Sequence, residues 1–278
     1  NAGCLGIIGA GSMKPELLKH HIQKAQGLTK KTLAVNVPLL YEGAGDQIKT
    51  ALNEGVKIFF TSAGSPKKMT PLIKDFGGIV VHVTSTPELA HKCEKAGVDA
   101  VVAEGFEAGG HNGKDEITSM VLIPEVQKAV SIPVIAAGGI ASGRQILAAL
   151  ALGADGVQIG SRFACTRESS AHDKFKQAIV RAKSGDTLLT MKDLVPVRLL
   201  KNSFFKKVRQ LEERCAEKEE FIQLLAKGRA KRGMLEGDLD EGELEICQVS
   251  GMIDNIPSVR KMVDELISEY KLAKNKLF

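Results

Sequence analysis

The sequence predicts an α/β fold, a TIM (β/α)8 barrel with a mainly helical lid insertion. Three observations carry that expectation. Short apolar runs are near-continuous rather than alternating, as in strands of a parallel sheet buried on both faces. A helical pattern separates each run from the next, which is the rhythm of repeated βαβ units. The glycine-rich segments follow several different strands, which suits the active end of a barrel better than an open doubly wound sheet.

In chain order the expected strands are Leu5–Ala10, Thr32–Leu39, Lys57–Ser62, Ile79–Thr84, Ala100–Glu104, Pro133–Ala137 and Gly156–Gly160. The helices between them are expected at Lys14–Gln26, Gly45–Glu54, Pro66–Phe76, Thr86–Ala96, Thr118–Ala129 and Ser142–Leu152. A complete barrel has eight strands. The opening Asn1-Ala2-Gly3 reads as the end of a helix with Gly3 as its cap. The first strand is therefore expected before this numbering, and residues 1–165 form the barrel part. After Phe163 the rhythm changes. Residues 166–250 are charged and are expected to be largely helical, with loops at Ser184-Gly185-Asp186 and Glu236-Gly237-Asp238. Within the last segment, 251–278, an amphipathic helix over Pro257–Lys276 carries Val259, Met262, Val263, Leu266, Ile267 and Tyr270 on one face. It is expected to pack back on the barrel.

Composition narrows the class. The chain has 278 residues, 44% hydrophobic and 26% charged, enough for a sizeable core and unlike a disordered chain. No apolar run reaches the roughly 18 residues of a membrane-spanning helix. The five cysteines are scattered and odd in number. They read as reduced thiols of a cytoplasmic protein and argue against a zinc site. Net charge is +5, and Lys201–Arg232 alone, with ten Lys/Arg against five Asp/Glu, accounts for +5. A solvated helical face explains that segment, and a docking surface for an acidic partner is the sharper alternative. Nucleic acid is disfavoured because no aromatic residues interleave with the charges.

Two segments carry chemistry. Pro133–Ala137 runs into Gly138-Gly139-Ile140, and one unit later comes Gly156-Val157-Gln158-Ile159-Gly160-Ser161-Arg162-Phe163. Glycines let backbone N–H groups approach a phosphate, Ser161 adds a hydroxyl, and a helix start after Ile140 adds a positive dipole end. Barrels place phosphate sites in the loops after strands seven and eight. A flavin mononucleotide (FMN) or a sugar phosphate would suit this pair, and ligand-free tight turns are the alternative. The second segment is Glu104-Gly105-Phe106-Glu107-Ala108-Gly109-Gly110-His111-Asn112-Gly113, directly after a strand. His111 there is the candidate acid or base. Asn36 sits inside an apolar strand, where a buried amide needs partners that a flavin ring or another loop would supply. Ser62, Ala63 and Gly64 close the next strand and are candidate substrate-pocket residues.

Glu104–Gly113, Val134–Gly143 and Gly153–Phe163 together resemble the flavin-dependent family that joins nitronate monooxygenase (2-nitropropane dioxygenase) to enoyl-ACP reductase II. The likeness extends from Leu5–Gly11 to Gln248–Gly251. It implies a TIM barrel with an inserted lid, usually dimeric, binding FMN without a covalent bond. Position by position it implies that Gly138, Gly139, Gly160 and Ser161 hold the FMN phosphate. Asn36 and Glu104 would lie by the flavin ring, the Gly109-Gly110 turn would contact the cofactor, and His111 would be the active-site acid or base. The family's N-terminal Gly-Gly-Met loop is absent from this numbering. Two reactions fit the resemblance. In one, NADH reduces FMN, and a trans-2-enoyl thioester on an acyl carrier protein is reduced, as in fatty acid synthesis. In the other, a nitronate is oxidised with O2. The run Glu104-Gly-x-Glu107-x-Gly109-Gly110-His111 favours the reductase. A non-catalytic flavin-binding barrel is the reading from another class.

Overall fold

The computed structural model describes residues 1–11, 13–225 and 228–277. Seven strands form one sheet: β1 (Gly6–Gly9), β2 (Leu33–Pro38), β3 (Ile58–Ser62), β4 (Ile79–Thr84), β5 (Ala100–Glu104), β7 (Val134–Ala137) and β8 (Gly156–Gln158). Their order in the sheet is their order in the chain, and β6 (Gly110–His111), between β5 and β7 in the chain, pairs elsewhere. Strands β1 to β5 pair in parallel, with Ile8 opposite Val35, Val35 opposite Phe59 and Val81 opposite Ala100. This is the α/β topology of a TIM-type barrel. Burial explains the sequence pattern. Consecutive residues Ala34 and Val35, and again Val101, Val102 and Ala103, are all fully buried, so both faces of those strands are covered.

Helices α1 (Pro15–Leu28), α2 (Ala44–Asn53), α3 (Met69–Asp75), α4 (Pro87–Lys95), α5 (Ser119–Ala129) and α6 (Gly143–Ala151) follow successive strands. Their starts have local causes. The Thr86 hydroxyl accepts from the Leu89 N–H at 3.2 Å, with Pro87 in the first turn, and Ser142 accepts from the Gln145 N–H at 3.3 Å. Their ends return to the sheet through glycines with left-handed φ at Gly55, Gly77, Gly97 and Gly153. Two of these turns share a device. Asp99 and Asp155 each bond backbone to backbone with the start of the preceding strand. Their carboxylates also accept the Val80 and Val134 N–H groups, at 2.7 and 2.9 Å.

The chain divides into two compact units. The first comprises Asn1–Ala103, Leu122–Ile135 and Gly153–Asp155, and the second Glu104–Val121, Ala136–Leu152 and Gly156–Phe278. The segment 166–250 thus shares a unit with the loops that leave β5, β7 and β8.

That segment carries the expected helical insertion. It holds α8 (Asp173–Arg181), α9 (Ser203–Glu213) and α10 (Lys218–Leu225), after the short α7 (Ser161–Ala164). It also holds β9 (Thr187–Thr190) and β10 (Val197–Leu200), which form an antiparallel sheet in the order β6-β10-β9. Val197 pairs with His111 and Arg198 with Gly110. The two strands are four residues each, and β10 partners a dipeptide far away in sequence, so no local run announces them. Phe204, Phe205, Val208 and Phe221 pack with Met191, Val197 and Leu199 into one apolar cluster beneath this sheet. Many cations of the basic stretch are paired: Lys207 and Arg229 with Glu241, Arg214 with Glu220, Lys231 with Glu236, and Arg232 with Asp238.

The last helix, α11 (Val259–Leu277), buries Met262, Val263 and Leu266. Ile267, expected on the buried face, is 46% exposed, so the apolar stripe is narrower than its sequence pattern. The helix packs on α6 at Gly143. A Cβ there would stand 2.2 Å from the Tyr270 nitrogen and 2.3 Å from the Leu266 oxygen, so only glycine permits the approach. The Gly143 N–H donates to Glu269 at 2.8 Å.

Candidate active site

The second unit contains a cavity of about 300 Å³, at the small end of the range for ligand pockets. Three strand ends and one return segment build it. Glu104 ends β5 and leads to Ala108 and Gly109, while Ala137 ends β7 and leads to Gly138, Gly139 and Ile140. Gln158 ends β8 and leads to Gly160 and Ser161, and Glu245, Ile246 and Cys247 close the fourth side. Six of the sequence-selected residues therefore meet at one cavity: Glu104, Gly109, Gly138, Gly139, Gly160 and Ser161. Gly110 and His111 lie just beyond it in β6, with His111 exposed.

The remaining candidates belong to the first unit. Asn36 is half-buried in β2, and its backbone oxygen accepts from Ala10 at 2.9 Å. Ser62, Ala63 and Gly64 form a tight turn after β3, with φ +49° at Ala63 and +154° at Gly64. His82, not selected from sequence, organises that turn. Its Nδ1 lies 2.7 Å from the Thr61 hydroxyl. Burial drives its pKa down to about 4, against the opposing effect of a backbone hydrogen bond at Gly64.

The glycine pair has the backbone of an anion cradle. Gly138 and Gly139 have φ of +89° and +72°, a left-handed succession that turns the chain back under the cavity. A Cβ on Gly138 would lie 2.9 Å from the Gly105 oxygen, and one on Gly139 would lie 3.3 Å from the Glu107 side chain. The Gly139 N–H donates to the Cys247 sulfur at 3.2 Å. The Ser161 hydroxyl accepts from the Cys247 N–H at 3.1 Å, and the Cys247 thiol donates to the Glu107 oxygen at 2.7 Å. Cys247 thus joins the two halves of the cradle that sequence spacing paired. The start of α6 does not contribute as expected. Its first N–H groups are taken by Gln145, Glu269 and Ser142, so that helix end is satisfied by protein groups.

The Glu104–Gly113 segment is a tied loop rather than a flexible one. The Glu107 carboxylate accepts from the Ser119 N–H at 3.0 Å and from its hydroxyl at 2.8 Å. The Asn112 amide donates to the Ala108 oxygen at 2.9 Å, and the fully buried Arg198 donates to the oxygens of Phe106 and Ala108. The guanidinium also stacks 4.4 Å over the Phe106 ring. Gly109 is required by close approach, because a Cβ would meet the Ile246 carbonyl carbon at 2.3 Å.

Acidic groups give the cavity its proton chemistry. Desolvation raises the Glu104 carboxyl to about 7 and also raises Glu245. Glu243 is raised to about 7 by burial and then by the Glu245 charge, with His111 and Arg229 opposing. Burial pushes the Cys247 thiol up. The sequence held one signal for these residues. Glu243-Leu244-Glu245-Ile246-Cys247 alternates polar and apolar, with Leu244 and Ile246 buried, as an extended segment against a core does.

Comparison with known proteins places this geometry. The family model described as nitronate monooxygenase matches residues 42–269. The chain belongs to the nitronate monooxygenase family. A probable nitronate monooxygenase of Bacillus subtilis (strain 168) is 31% identical, over 97% of this chain and 89% of that protein. An indene-carboxyl-CoA dehydrogenase of Mycobacterium tuberculosis is 28% identical, over 96% of this chain and 86% of its own. Among solved structures, FabK of Thermotoga maritima, an enoyl-ACP reductase II, superposes with a TM-score of 0.95. Its identity is 40%, over 99% of this chain and 88% of FabK. Nitroalkane oxidase of Streptomyces ansochromogenes superposes with a TM-score of 0.88 at 28% identity, over 100% of this chain and 91% of its own. The family and its structural neighbours are oxidoreductases, so this chain is an enzyme of that class.

Proposed function

We propose that this enzyme binds FMN at the cavity and reduces trans-2-enoyl thioesters carried on an acyl carrier protein, with NADH as electron donor. The supporting observation is the likeness to FabK, 40% identical with a TM-score of 0.95, against 28% and 0.88 for nitroalkane oxidase. The cavity residues fit a phosphate-bearing cofactor. Two left-handed glycines and a serine converge there, and a Cβ at Gly138 would strike backbone. Gly138, Gly139, Gly160 and Ser161 are the residues that would hold the phosphate. When bound, the flavin would supply two-electron chemistry that no side chain of the chain provides.

The chain's own residues do the rest. The Ser161 hydroxyl, which accepts from the Cys247 N–H and keeps its own proton to donate, would orient the anionic end. Glu104, near 7, is a carboxyl able to donate a hydrogen bond at neutral pH. His111 is the candidate proton donor to the α-carbon of the thioester. His111 in turn acts electrostatically on the Glu243 carboxyl, opposing the rise that burial imposes there. Nitronate oxidation is the second reading. It draws on the family description and on relatives bearing that name. There His111 would be the base that takes the proton next to the nitro group. The working unit is a homodimer in either case.

Anaerobic mixing of the yellow protein with NADH separates the readings. Loss of the oxidised flavin band at about 450 nm, restored by an enoyl thioester, is the expected result. Loss with a nitronate but none with NADH would transfer the assignment to the monooxygenase.

A further inference from the structure

Among the described residues Arg198 is the largest fully buried side chain, and no carboxylate lies within ion-pair distance of it. Its hydrogen bonds go to neutral carbonyls. The Nε donates to Ala108 at 3.1 Å and Phe106 at 3.3 Å, and the Nη2 donates to Phe106 at 2.7 Å. A buried guanidinium held only by carbonyls and a ring is costly, and an anion nearby offsets that cost. The charge sits directly behind the cavity wall. Ala108, whose oxygen it holds, lines the cavity, and the Ala108 nitrogen would be 3.3 Å from a Cβ on Gly138. The Glu107 and Glu116 carboxylates act on Arg198 from beyond ion-pair distance and favour its charged form, while the Cys247 thiol, whose sulfur accepts from Gly139, is pushed up by burial and stays neutral. Desolvation opposes the guanidinium charge, yet a guanidinium has ample reserve to stay protonated at neutral pH. The acids facing the same cavity, Glu104 and Glu245, are held toward their neutral forms by burial, so they do little to cancel it.

We infer that Arg198 supplies the positive potential of the glycine cradle and makes the site select a phosphorylated flavin over an unphosphorylated one. This rests on the proposed FMN site and extends it to a residue outside the cavity lining. Arg198 is also a positioning residue for the Glu104–Gly113 loop, so the test must separate charge from shape. The loop's shape serves both flavins alike, whereas the charge favours only the one that carries a phosphate.

Full-length protein stripped of flavin is titrated with FMN and with riboflavin, following flavin fluorescence. Arg198→Gln keeps a donor for the Phe106 oxygen and removes the charge, and Arg198→Lys keeps the charge and loses the fork. The expected result for Gln is a loss of about tenfold in the preference for FMN over riboflavin, the scale of one buried charge acting on a nearby anion. Lys should retain that preference even where both affinities fall. Equal weakening of both flavins in the Gln variant would reduce Arg198 to a structural role and overturn the inference. So would loss of the preference in the Lys variant, a result that stands even if the Gln protein does not fold. Wild-type protein that binds neither flavin would remove the FMN reading itself, an outcome distinct from wild-type FMN binding that is indifferent to Arg198.

Discussion

Replacing Glu104 by glutamine should stabilise the flavin-free protein above neutral pH and leave it nearly unchanged in acid. The folded chain holds this carboxyl at about 7 because burial penalises its charge, whereas the ordinary value is 4.5. Between those values the unfolded chain releases the proton and the folded chain keeps it. Stability is therefore present below 4.5 and is lost as pH rises through the window to 7, beyond which the loss is constant. At about 1.4 kcal/mol per pH unit, the ceiling is ~3 kcal/mol, of which ~1 kcal/mol is already lost by pH 5. Glutamine fills nearly the same volume and has no charge to desolvate. Urea unfolding of wild type and Glu104→Gln at pH 5 and pH 8 measures the difference directly. The variant should gain about 2 kcal/mol more at pH 8 than at pH 5. Glu243, also near 7, contributes its own loss to both proteins and cancels in the comparison. A difference that does not change with pH would show that Glu104 is ionised in the folded chain at neutrality and would refute the reasoning.

Four further substitutions probe the site and its frame. Gly139→Val should abolish flavin binding, because φ is +72° and the Cβ would crowd the Glu107 side chain at 3.3 Å; unchanged flavin occupancy on purification would remove Gly139 from the cradle. Gly109→Ala should displace the Glu245–Cys247 segment, since the Cβ would fall 2.3 Å from the Ile246 carbonyl carbon, and a Tm lowered by several degrees together with weakened flavin binding is expected. Gly143→Ala should destabilise by about 3 kcal/mol by forcing α6 from α11, without touching the cavity, so unfolding midpoints should fall while flavin affinity holds. His111→Ala should leave the protein yellow and slow its turnover by roughly 10²-fold or more; full activity would take His111 out of the proton step.

Much of the fold was legible because burial on both faces leaves a strong local trace. The runs Leu33–Pro38, Ile58–Ser62 and Ala100–Glu104 are mostly apolar without a period of two, and they are strands of the parallel sheet. The cavity was legible for a related reason. A backbone that turns back tightly needs glycine, and Gly138-Gly139 and Gly109 mark the places where only hydrogen fits. The small antiparallel sheet was not legible. Its central strand, Val197–Leu200, pairs with a dipeptide at Gly110–His111, and neither partner carries a period long enough to stand out. Cys247 and Arg198 were missed for the same cause. Their meaning lies in contacts more than 85 residues away along the chain, with Glu107, Gly139 and Ser161 on one side and Phe106 and Ala108 on the other.

Those long-range contacts change what His111 can be. Its loop leaves β5, so sequence spacing makes it a barrel residue. Yet its backbone register is set by Val197, and the preceding Gly110 is packed under the Glu245 carboxylate, 2.6 Å from where a Cβ would stand. Arg198, next to Val197, ties the same loop through Phe106 and Ala108. The position of the candidate proton donor is therefore governed by the segment after β8 as much as by the strand that precedes it. A shift of β10 by one residue would turn Arg198 out of the loop and move His111 with it, because a one-residue slip exchanges the two faces of a strand. The glycines at 109 and 110 make that register possible, the first by admitting Ile246 and the second by admitting Glu245. Glycine-rich composition in this loop thus reflects the close fit of the 243–249 segment as well as any ligand, and catalytic competence depends on both fits at once.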